Sequence, residues 1–488
     1  MNLLVIDVGT SSMRGILYND DLEKLLFHQI RYCPNCNSNG EIEQPAKNFE
    51  DALTVIVKTL NEKAKEINSS FDIITITAQR SSVIPLDKHG RPLMNVMMWQ
   101  DLRNKKVCQN LEKENDQILN VSGACVNTVF SGGKMAWIKQ EKPEIFKKAH
   151  KFVNIPEYLI HLMTGEFVTD VTYGSRSNLM NLRNGQWDQG LLHLFGIRED
   201  QLCRLLSAGS KCGAVTAEFA QKTGIKEGIT VITAGGDQQC AAVGQGIFKD
   251  GKMSIVTGTG AFLITSCDQV PDHLTQGIIC NSSAVKGKYI LETNILACCS
   301  AFDWFCRNFY DSDVIDYEKI NQKLEASYHK KTPCLALPYF QGRSTPDWNA
   351  KAKASLFNIS LSTTREDLLK AILEGIFIEI KNNIDLLKQY AKVDQICISG
   401  GLTNSQIMNQ MQADIYGASL YHIDDSEATA RGALMVTLVS LGIYSSYDKL
   451  YKKMCRYMKI DVFESKEETD YYINKQNDMN LLYQKIYK

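Results

Sequence analysis

The sequence predicts an α/β protein built from two similar lobes that face each other across a cleft. A strand, a Gly-Thr turn and a second strand follow one another in LLVIDVGTSSMRGILY, and the same order returns in KMSIVTGTGAFLIT. Each hairpin begins a half of the chain in which strands alternate with helices. The two hairpins lie roughly 250 residues apart, which indicates a duplicated domain. The cleft between two such lobes is the expected ligand site.

Length and composition fit this interpretation. The chain has 488 residues, of which 44% are hydrophobic and 22% are charged, as in ordinary globular proteins. It is too long for a single core. We expect an N-terminal domain over 1–246, a C-terminal domain over 247–445, and a helical tail over 446–488 packed on the core.

The charge balance argues against polyanionic partners. Lys and Arg number 54 against 55 Asp and Glu, so no overall field recruits nucleic acid or an anionic membrane surface. No apolar run approaches the length of a membrane span, and residues 2–6 lack the length and basic flank of a signal peptide. We therefore expect a cytoplasmic protein with no nucleic-acid partner and no membrane partner.

The cysteines do not indicate a disulfide framework or a zinc site. The chain has 15 cysteines, an odd number, and they are scattered. Cys33 and Cys36 form a CPNC pair, but a zinc site needs a second ligand pair at suitable spacing. We interpret the cysteines as ordinary reduced thiols, with a metal or redox role for the CPNC pair as the alternative.

The elements of the first half follow from periodicity. LLVID and MRGILYN are strands around the first Gly-Thr turn, 47–66 has a helical period, and FDIITITAQ is a buried strand. PLDKHGRPL is a turn-rich excursion. Further helices are expected at 102–119, 131–148 and 155–164. A strand over 228–236 then runs into a helix of small residues, QQCAAVGQGI.

The second half repeats this plan after its hairpin. A long amphipathic helix is expected from about 365 to 390, followed by the strand QICISGG and the helix NSQIMNQMQADIYG. The short strand ASLYHI and the helix EATARGALMVTLVSLG complete the lobe. The tail from 446 is charged and is expected to be helical.

The two hairpin turns are candidate phosphate sites. In DVGTSSMR, the residues after Asp7 offer backbone N–H groups and hydroxyls to an anion, and Asp7 can hold Mg²⁺ directly or through water. Gly258, Thr259 and Gly260 can form a matching turn in VTGTGAF. Either turn alone could be a plain hairpin with solvated polar residues. A nucleotide held between the two turns explains why each lobe supplies one.

A third glycine-rich turn occurs in ISGGLTNSQ. Gly400 and Gly401 allow close approach of a flat or anionic ligand, with Asn404 and Ser405 near a helix N-terminus. The segment is not a Walker A motif, and no GxxxxGK[ST] occurs in the chain. The alternative is a purely structural Gly-Gly turn.

Asp237 in AGGDQQ opens a predicted helix. It is either an N-cap, which aspartate suits, or a base or metal-associated carboxylate at the floor of the cleft. A helix N-terminus favours the ionised form, so we expect the pKa of Asp237 to stay low. Phosphoryl transfer depends on positioning and charge more than on base strength, so a weak base suffices.

A polar tip follows the third strand, in TAQRSSVIPLDKHGRPLMNVMMWQDLR. Trp99 places an aromatic face beside the amide of Gln100 and the carboxylate of Asp101, which suits a polyhydroxylated ligand. Trp99 could equally lie in the core, and Arg80 could be a surface cation.

Taken in order, these segments resemble the FGGY carbohydrate kinase family, which includes glycerol kinases and xylulokinases. The resemblance covers roughly 1–445. It is carried by DVGTSSMR, LDKHGRPL…WQDLR, FSGGKMAW, TGEFVTD, AGGDQQCAAVGQG, TGTGAF, LPYFQGRSTPDWN, LEGIFIEI, SGGLTNSQIMNQMQADI and EATARGALM. No single segment is decisive, but the ordered set is specific.

The resemblance implies a duplicated ribonuclease H-like fold of the actin type and the use of ATP with Mg²⁺. It implies in-line attack of a sugar or polyol hydroxyl on the γ-phosphorus, with Asp237 as the base. Asp7 and Asp237 would lie at the metal. The implied nucleotide-binding residues are Thr10, Ser11, Arg14, Gly258, Thr259, Gly400, Gly401, Asn404 and Ser405. The implied substrate-binding residues are Arg80, Ser81, Trp99, Asp101, Asp237, Gln238 and Phe262. Family members are often dimers or tetramers, so a homodimer is among the expected states.

The substrate stays open between a ketose such as xylulose and a polyol such as glycerol. Glycerol kinases have Arg-Glu where this chain has Arg80-Ser81, and a tyrosine where it has Val129. Xylulokinases have Met-His where this chain has Arg80-Ser81. GDQQ, WQ and Phe262 are more like glycerol kinase. Relative to glycerol kinases, this chain lacks the Glu and Tyr side chains. Their loss would enlarge the pocket and suit a substrate longer than glycerol.

Two other classes share part of the pattern. An actin-fold ATPase of the chaperone or scaffold class would have both phosphate turns, but has no use for the WQD block or Asp237. An inactive, sugar-sensing kinase relative is the second alternative. ATP turnover stimulated by sugar discriminates both from an active kinase.

Overall fold

Two mixed β-sheets organise the protein, one in each half of the chain. The computed structural model describes residues 1–37, 40–310, 314–423, 427–456, 458–466 and 469–488.

The N-terminal half contains fifteen described strands and ten described helices. Its strands are β1 (Leu3–Val8), β2 (Ser12–Tyr18), β3 (Lys24–Arg31), β4 (Asn35–Cys36), β5 (Ile42–Gln44), β6 (Ile73–Ala78), β7 (Ile84–Leu86), β8 (Val96–Met97), β9 (Lys151–Val153), β10 (Val168–Asp170), β11 (Met180–Asn181), β12 (Gln186–Trp187), β13 (Arg204–Leu206), β14 (Lys211–Ala214) and β15 (Thr230–Gly236). Its helices are α1 (Ala46–Glu66), α2 (Lys105–Leu111), α3 (Asn115–Ser122), α4 (Ser131–Glu141), α5 (Pro143–Lys148), α6 (Ile155–Thr164), α7 (Val171–Gly174), α8 (Gln189–Phe195), α9 (Ala217–Thr223) and α10 (Asp237–Gly244). Short 3₁₀ turns lie at Glu112–Glu114 and Glu199–Gln201.

The C-terminal half has nine described strands and seven described helices. Its strands are β16 (Gly251–Thr257), β17 (Ala261–Cys267), β18 (Ile279–Ser282), β19 (Tyr289–Ile295), β20 (Leu335–Leu337), β21 (Ser355–Phe357), β22 (Val393–Gly400), β23 (Leu420–Ile423) and β24 (Ile460–Phe463). Its helices are α11 (Cys299–Phe309), α12 (Tyr317–Ser327), α13 (Arg365–Lys388), α14 (Gln406–Tyr416), α15 (Ala428–Ser440), α16 (Tyr447–Met454) and α17 (Thr469–Tyr487). A 3₁₀ turn lies at Gly401–Asn404.

The two large sheets share one topology. The first has the order β14-β15-β6-β1-β2-β3, and the second the order β18-β19-β17-β16-β22-β23-β24. In the first, β1, β2 and β3 form an antiparallel meander, while β6 and β15 add parallel to β1. In the second, β16, β17 and β19 form the meander, while β22 and β23 add parallel to β16. The duplication expected from the two hairpins is therefore confirmed.

Strand β1 shows why an almost unbroken apolar run forms the centre of a sheet. Every residue of LLVIDV is buried, because helices cover both faces of the strand. Leu4, Ile6 and Val8 pack in one core with α1, while Leu3 and Val5 pack in another with α15. Helix α1 turns Phe49, Leu53 and other residues three or four apart toward that first core.

Helices α10 and α15, which follow the last parallel strand of each repeat, cross each other between the sheets. Two glycines make the crossing close. A Cβ on Gly432 would lie 1.7 Å from the carbonyl oxygen of Cys240, and one on Gly244 would lie 2.0 Å from that of Ala428. Helix α15 also packs on the first sheet, where the hydroxyls of Thr75 and Thr437 lie 2.7 Å apart. The last helix of the second repeat thereby covers the sheet of the first.

Three expected elements differ in detail. The helix expected over 102–119 is divided into α2, a 3₁₀ turn and α3. The helix expected over 131–148 is divided into α4 and α5, because Pro143 begins a new helix. The tail expected to be helical contains β24 between α16 and α17, and β24 pairs antiparallel with β23 at the edge of the second sheet.

Two further features concern the helices and the cysteines. In the described ranges, no helix is long and apolar enough to cross a membrane. All 15 cysteines, including Cys33 and Cys36, have free thiols.

Candidate active site

The first predicted phosphate turn lies between β1 and β2, and its carbonyl groups accept hydrogen bonds from neighbouring residues. Tyr32 Oη and Gln79 Nε2 donate to the carbonyl oxygen of Gly9, at 2.9 and 3.1 Å. The amide of Tyr32 donates to the carbonyl oxygen of Ser11 at 3.0 Å. Among the described residues, no acceptor is hydrogen-bonded to the amide N–H of Thr10 or Ser11. The turn thus keeps donors available for an anion.

Trp99 joins the polar tip to this turn. Its Nε1–H donates to Oγ1 of Thr10 at 3.0 Å, and its amide donates to Oγ of Ser82 at 3.0 Å. The indole is only partly buried, so neither the core interpretation nor a purely ligand-facing one describes it fully. Trp99 fixes the side chain of Thr10.

Asp7 lies at the end of β1, directly opposite Arg14 on β2. Arg14 Nε donates to Oδ2 of Asp7 at 2.8 Å, and Nη2 lies at the same distance from that oxygen. Burial raises the pKa of the Asp7 carboxyl above its ordinary value, although the Arg14 guanidinium acts to lower it. Both contacts from Arg14 are made to Oδ2, so the ion pair leaves Oδ1 of Asp7 unengaged by this arginine.

The second phosphate turn is held in a similar way. The amides of Cys298 and Cys299 donate to the carbonyl oxygens of Thr259 and Gly258, at 2.8 and 3.0 Å. Ser300 Oγ also donates to the carbonyl oxygen of Thr259, at 2.9 Å. The start of α11 therefore holds the carbonyl groups of this turn.

The Gly-Gly turn lies beside the second phosphate turn, because Thr257 and Gly400 are neighbours on β16 and β22. Gly400 has a φ of 100°, and a Cβ there would lie 2.1 Å from the carbonyl oxygen of Thr257. Only glycine tolerates both the conformation and the approach. Ser405 caps α14 by accepting from the amide of Met408 at 3.3 Å, and Asn404 precedes it.

A cavity of about 450 Å³ opens next to these turns. It is lined by Thr259, Cys299, Ser300, Asp303, Trp304, Arg307 and Asn308. Cys299 also lies against the Gly-Gly turn, with Sγ 3.1 Å from the position of a Cβ on Gly401. The cavity adjoins two of the three predicted nucleotide-binding segments.

Asp237 begins α10 at the carboxyl end of β15, and buried hydroxyls hold the segment before it. Thr172 Oγ1 accepts from the amide of Gly236 at 2.8 Å. Tyr173 Oη donates to the carbonyl oxygen of Gly235 at 2.9 Å and accepts from the amide of Ala78 at 3.0 Å. Because β1, β6 and β15 are parallel neighbours, Asp7, Ala78 and Asp237 all lie at the carboxyl ends of these central strands.

The expected low pKa of Asp237 is wrong. Removal from water raises the pKa of its carboxyl to about 6, and the nearby Arg80 only partly offsets this rise. The N-cap position belongs to Gly236, and Asp237 Oδ1 instead accepts from the amide of Gln238 at 2.7 Å. Desolvation therefore outweighs the helix terminus at this position.

Arg80 connects Asp237 to two groups that the sequence did not indicate. Its Nε lies 3.5 Å from Oδ1 of Asp237, and its Nη1 lies 2.9 Å from Oε1 of Glu292. The other oxygen of Glu292, Oε2, lies 3.5 Å from Nη1 of Arg176. Glu292 was overlooked although it is the one charged residue in the strand YILETNI.

The remaining predicted substrate residues are placed differently. Ser81 is 2% exposed and donates to the carbonyl oxygen of Arg176 at 3.2 Å. Asp101 is fully buried, with its carboxylate accepting from the amide of Ile42 and paired with Arg103 at 2.8 Å. This geometry does not support direct contact between Asp101 and a ligand. Gln238 is half-buried beside Asp237, and Phe262 is 49% exposed on β17.

Comparison with known proteins agrees with the two-lobed fold. The N-terminal domain profile of the FGGY family of carbohydrate kinases matches residues 2–244, and the C-terminal domain profile matches residues 253–441. A glycerol kinase of Thermococcus gammatolerans is 27% identical over 455 residues, covering 92% of this chain and 91% of that protein. A xylulose kinase of Bacillus subtilis is 27% identical over 457 residues, covering 92% and 90%.

Solved structures show the same architecture. The crystal structure of Plasmodium falciparum glycerol kinase with ADP superposes with a TM-score of 0.90 at 26% identity, covering 100% of this chain and 98% of that one. The fold is the two-domain actin-type fold, as the sequence resemblance implied. The comparisons lend no support to the chaperone-type ATPase or to the sugar-sensing relative. The chain belongs to the FGGY family of carbohydrate kinases, enzymes that transfer phosphate from ATP to an alcohol group of a small carbohydrate.

Proposed function

We propose that Asp237 is the general base of this kinase and that the acceptor is an uncharged small sugar or polyol. The observation that carries the proposal is the placement of Asp237 at the carboxyl end of β15. Its pKa is raised to about 6, and Arg80 lies 3.5 Å away. A base with a pKa just below the working pH is both ionised and able to accept a proton. The acceptor would be a ketose such as xylulose or a polyol such as glycerol.

The residues around the cleft fit in-line phosphoryl transfer. The free amides of Thr10 and Ser11 would donate to the phosphates of the nucleotide, and Gly258 and Thr259 would bind them from the second lobe. Gly400, Gly401, Asn404 and Ser405 hold the adenosine beside the 450 Å³ cavity. Asp237 takes the hydroxyl proton as the acceptor oxygen bonds to the γ-phosphorus, and ADP leaves with the electrons of the broken P–O bond.

The carboxylates present fit Mg²⁺. In the part of the chain that the structure describes, no three His, Cys, Asp or Glu residues are grouped to hold a metal. Mg²⁺ usually needs fewer protein ligands, because water and substrate phosphates complete its shell. Asp7 and Asp237 are close enough that the charge of Asp7 raises the pKa of Asp237. They would hold the ion, which when bound neutralises charge on the transferring phosphate.

The Asp7 role has a direct test. Asp7→Asn should raise the Mg²⁺ concentration needed for half-maximal activity, because a neutral amide binds the ion less well. Unchanged Mg²⁺ dependence would assign Asp7 to holding Arg14 alone.

Charge balance at the cleft floor supports an uncharged acceptor. The positive charges of Arg80 and Arg176 are matched by the negative charges of Glu292 and Asp237. An acceptor carboxylate would upset this balance near the ionised base. A neutral sugar needs only hydrogen bonds, which the guanidinium of Arg80 and the amide of Gln238 can provide.

Two positions that carry Glu and Tyr in glycerol kinases carry the smaller Ser81 and Val129 here. Ser81 turns its short side chain away, toward the carbonyl oxygen of Arg176, and Val129 brings no hydroxyl. These two residues favour an acceptor longer than glycerol.

An acceptor screen tests the proposal. ATP-to-ADP conversion is measured with three- to six-carbon polyols, ketoses and deoxy sugars, with gluconate as the charged counterpart. We expect stimulation by neutral acceptors and none by gluconate. Stimulation by gluconate alone, or steady turnover that ignores every acceptor, would contradict the proposal.

Two further expectations accompany this function. Free thiols throughout the chain suit a reducing compartment, which supports a cytoplasmic enzyme. The homodimer stays a prediction from the family resemblance, and light scattering on the purified protein tests it.

A further inference from the structure

Glu292 brings a carboxylate from the second sheet to two arginines of the first half of the chain. It lies on β19, and its side chain is 12% exposed. Arg80 follows β6 and Arg176 follows α7, and their side chains are similarly buried, with 11% and 8% exposed. Each oxygen of Glu292 faces one of the two arginines.

The contacts of Arg80 leave one end of its guanidinium free. Nη1 donates to Oε1 of Glu292 at 2.9 Å and to Oε1 of Gln239 at 3.3 Å, while Nε lies 3.5 Å from Asp237. Among the described residues, no acceptor is hydrogen-bonded to Nη2 of Arg80. This nitrogen is accessible to solvent. Its two N–H groups are therefore available beside Asp237.

Glu292 also separates two like charges. Burial and the neighbouring Arg80 lower the pKa of Arg176 to about 9. Arg176 lies over the ring of Phe130 at 4.6 Å, which limits where it can move. Without a negative group between them, the two guanidinium groups would repel each other in a poorly hydrated site. Arg80 would then turn from its present position.

We propose that Glu292 is a positioning residue of the kinase reaction, holding Arg80 so that its free Nη2 donates to oxygens of the acceptor bound against Asp237. The inference rests on the proposed function, because it assumes that Arg80 binds the acceptor. Glu292 itself touches neither the acceptor nor the nucleotide. Its contribution is to the orientation of Arg80, so it should affect acceptor binding and leave nucleotide binding alone.

The first test is Glu292→Gln, which keeps the shape of the side chain and removes its charge. With glycerol and xylulose as probe acceptors, we expect kcat/KM for the acceptor to fall about tenfold or more. The KM for the acceptor should rise while the KM for ATP changes by less than about twofold. Glu292→Asp, which keeps the charge, should recover part of the loss. An equal rise in both KM values would overturn the proposal.

Glu379→Gln is the matched control. Glu379 is a buried carboxylate in the same half of the chain, 2.7 Å from Nε of Arg343. Its loss should lower the melting temperature without raising the acceptor KM of the remaining folded enzyme. A rise in acceptor KM equal to that of Glu292→Gln would show that any buried pair has this effect, and would also overturn the proposal.

A double-mutant cycle separates this inference from the proposed function. If Glu292 acts through Arg80, adding Glu292→Gln to Arg80→Gln should change kcat/KM for the acceptor by less than about twofold. A full additional loss in the Arg80→Gln background would refute the positioning role while leaving Arg80 as an acceptor ligand. Failure of Arg80→Gln alone to raise the acceptor KM would refute the acceptor role of Arg80 itself.

Discussion

Asp237 illustrates how tertiary surroundings decide the chemistry of a residue. Its place at the first position of α10 is evident in the sequence, and a helix terminus by itself lowers the pKa of a carboxyl. The structure places Asp7 and Glu292 nearby, and removal from water raises the pKa to about 6 despite Arg80. None of these neighbours is close in the sequence, so the sign of the shift could not be read from it.

The base assignment has a direct test. Asp237→Asn should lower kcat by about 10²- to 10⁴-fold, the usual contribution of a general base. ATP binding, measured by calorimetry, should change little, because the proposed nucleotide contacts are mainly with the two hairpin turns and the Gly-Gly turn. Asp188→Asn, at the N-cap of α8, is the control and should keep full activity. A kcat near that of the unmodified enzyme would remove Asp237 from the role of base.

The same carboxyl predicts a pH dependence. Asp237 must be ionised to accept a proton, so kcat/KM should be constant above its pKa of about 6. Below this value the protonated fraction grows, and the rate should fall about tenfold per pH unit. A pH–rate profile of the free enzyme measures this limb. A profile flat down to pH 5 would mean that the ordinary carboxyl pKa is retained.

At the scale of elements, the hairpins and long helices were predictable and the short elements were not. Strand β1 and helix α13 have strong apolar patterns, and both lie within a few residues of their expected bounds. Strand β24 has the sequence IDVF inside a charged tail, and only its pairing with β23 makes it a strand. Glu292 was missed for a related reason, because its partners come from the other half of the chain.

The crossing of α10 and α15 gives a prediction at this scale. Gly432→Ala would place a methyl group against the carbonyl oxygen of Cys240, so the helices must separate. We expect a loss of about 1–3 kcal/mol of unfolding free energy, as for other overpacked contacts. Denaturant unfolding measures it.

Gly190→Ala is the matched control for this substitution. Gly190 also lies in a helix, α8, but the nearest neighbours of a new Cβ would be side-chain ends of Asp188 and Gln117. These contacts, at 3.2 and 3.4 Å, need only small shifts that leave the Asp188 cap in place, and alanine has the higher helix propensity, so stability should be kept or slightly raised. Equal losses in both variants would show that the crossing is not specially tight.

At the scale of the whole molecule, the tail belongs to the second core. Phe463, Tyr472, Met479 and Tyr483 are buried in the same cluster as α13 and α14. The sequence indicated a tail packed on the core but not how deeply. Its alternation of charged and apolar residues is that of a half-exposed helix, and the depth of packing depends on its neighbours.

Removal of the tail should therefore disrupt the protein. A chain ending at residue 445 would expose the apolar surface that these four residues cover, and we expect loss of cooperative thermal unfolding. In the full chain, Met479→Ala should cost about 2–5 kcal/mol, whereas Leu481→Ala, at a 49% exposed position, should be nearly neutral. A truncated chain with an unchanged melting temperature would show that the tail is an accessory.

The covering of β1 by α15 has a consequence for biosynthesis. Leu3 and Val5 lie in one core with Ala433 and Leu434, which are synthesised much later, as part of α15. The first sheet must therefore wait, with one apolar face uncovered, until α15 has emerged from the ribosome. Its folding cannot be completed before α15 is synthesised, and until then that face is a natural place for a chaperone to bind.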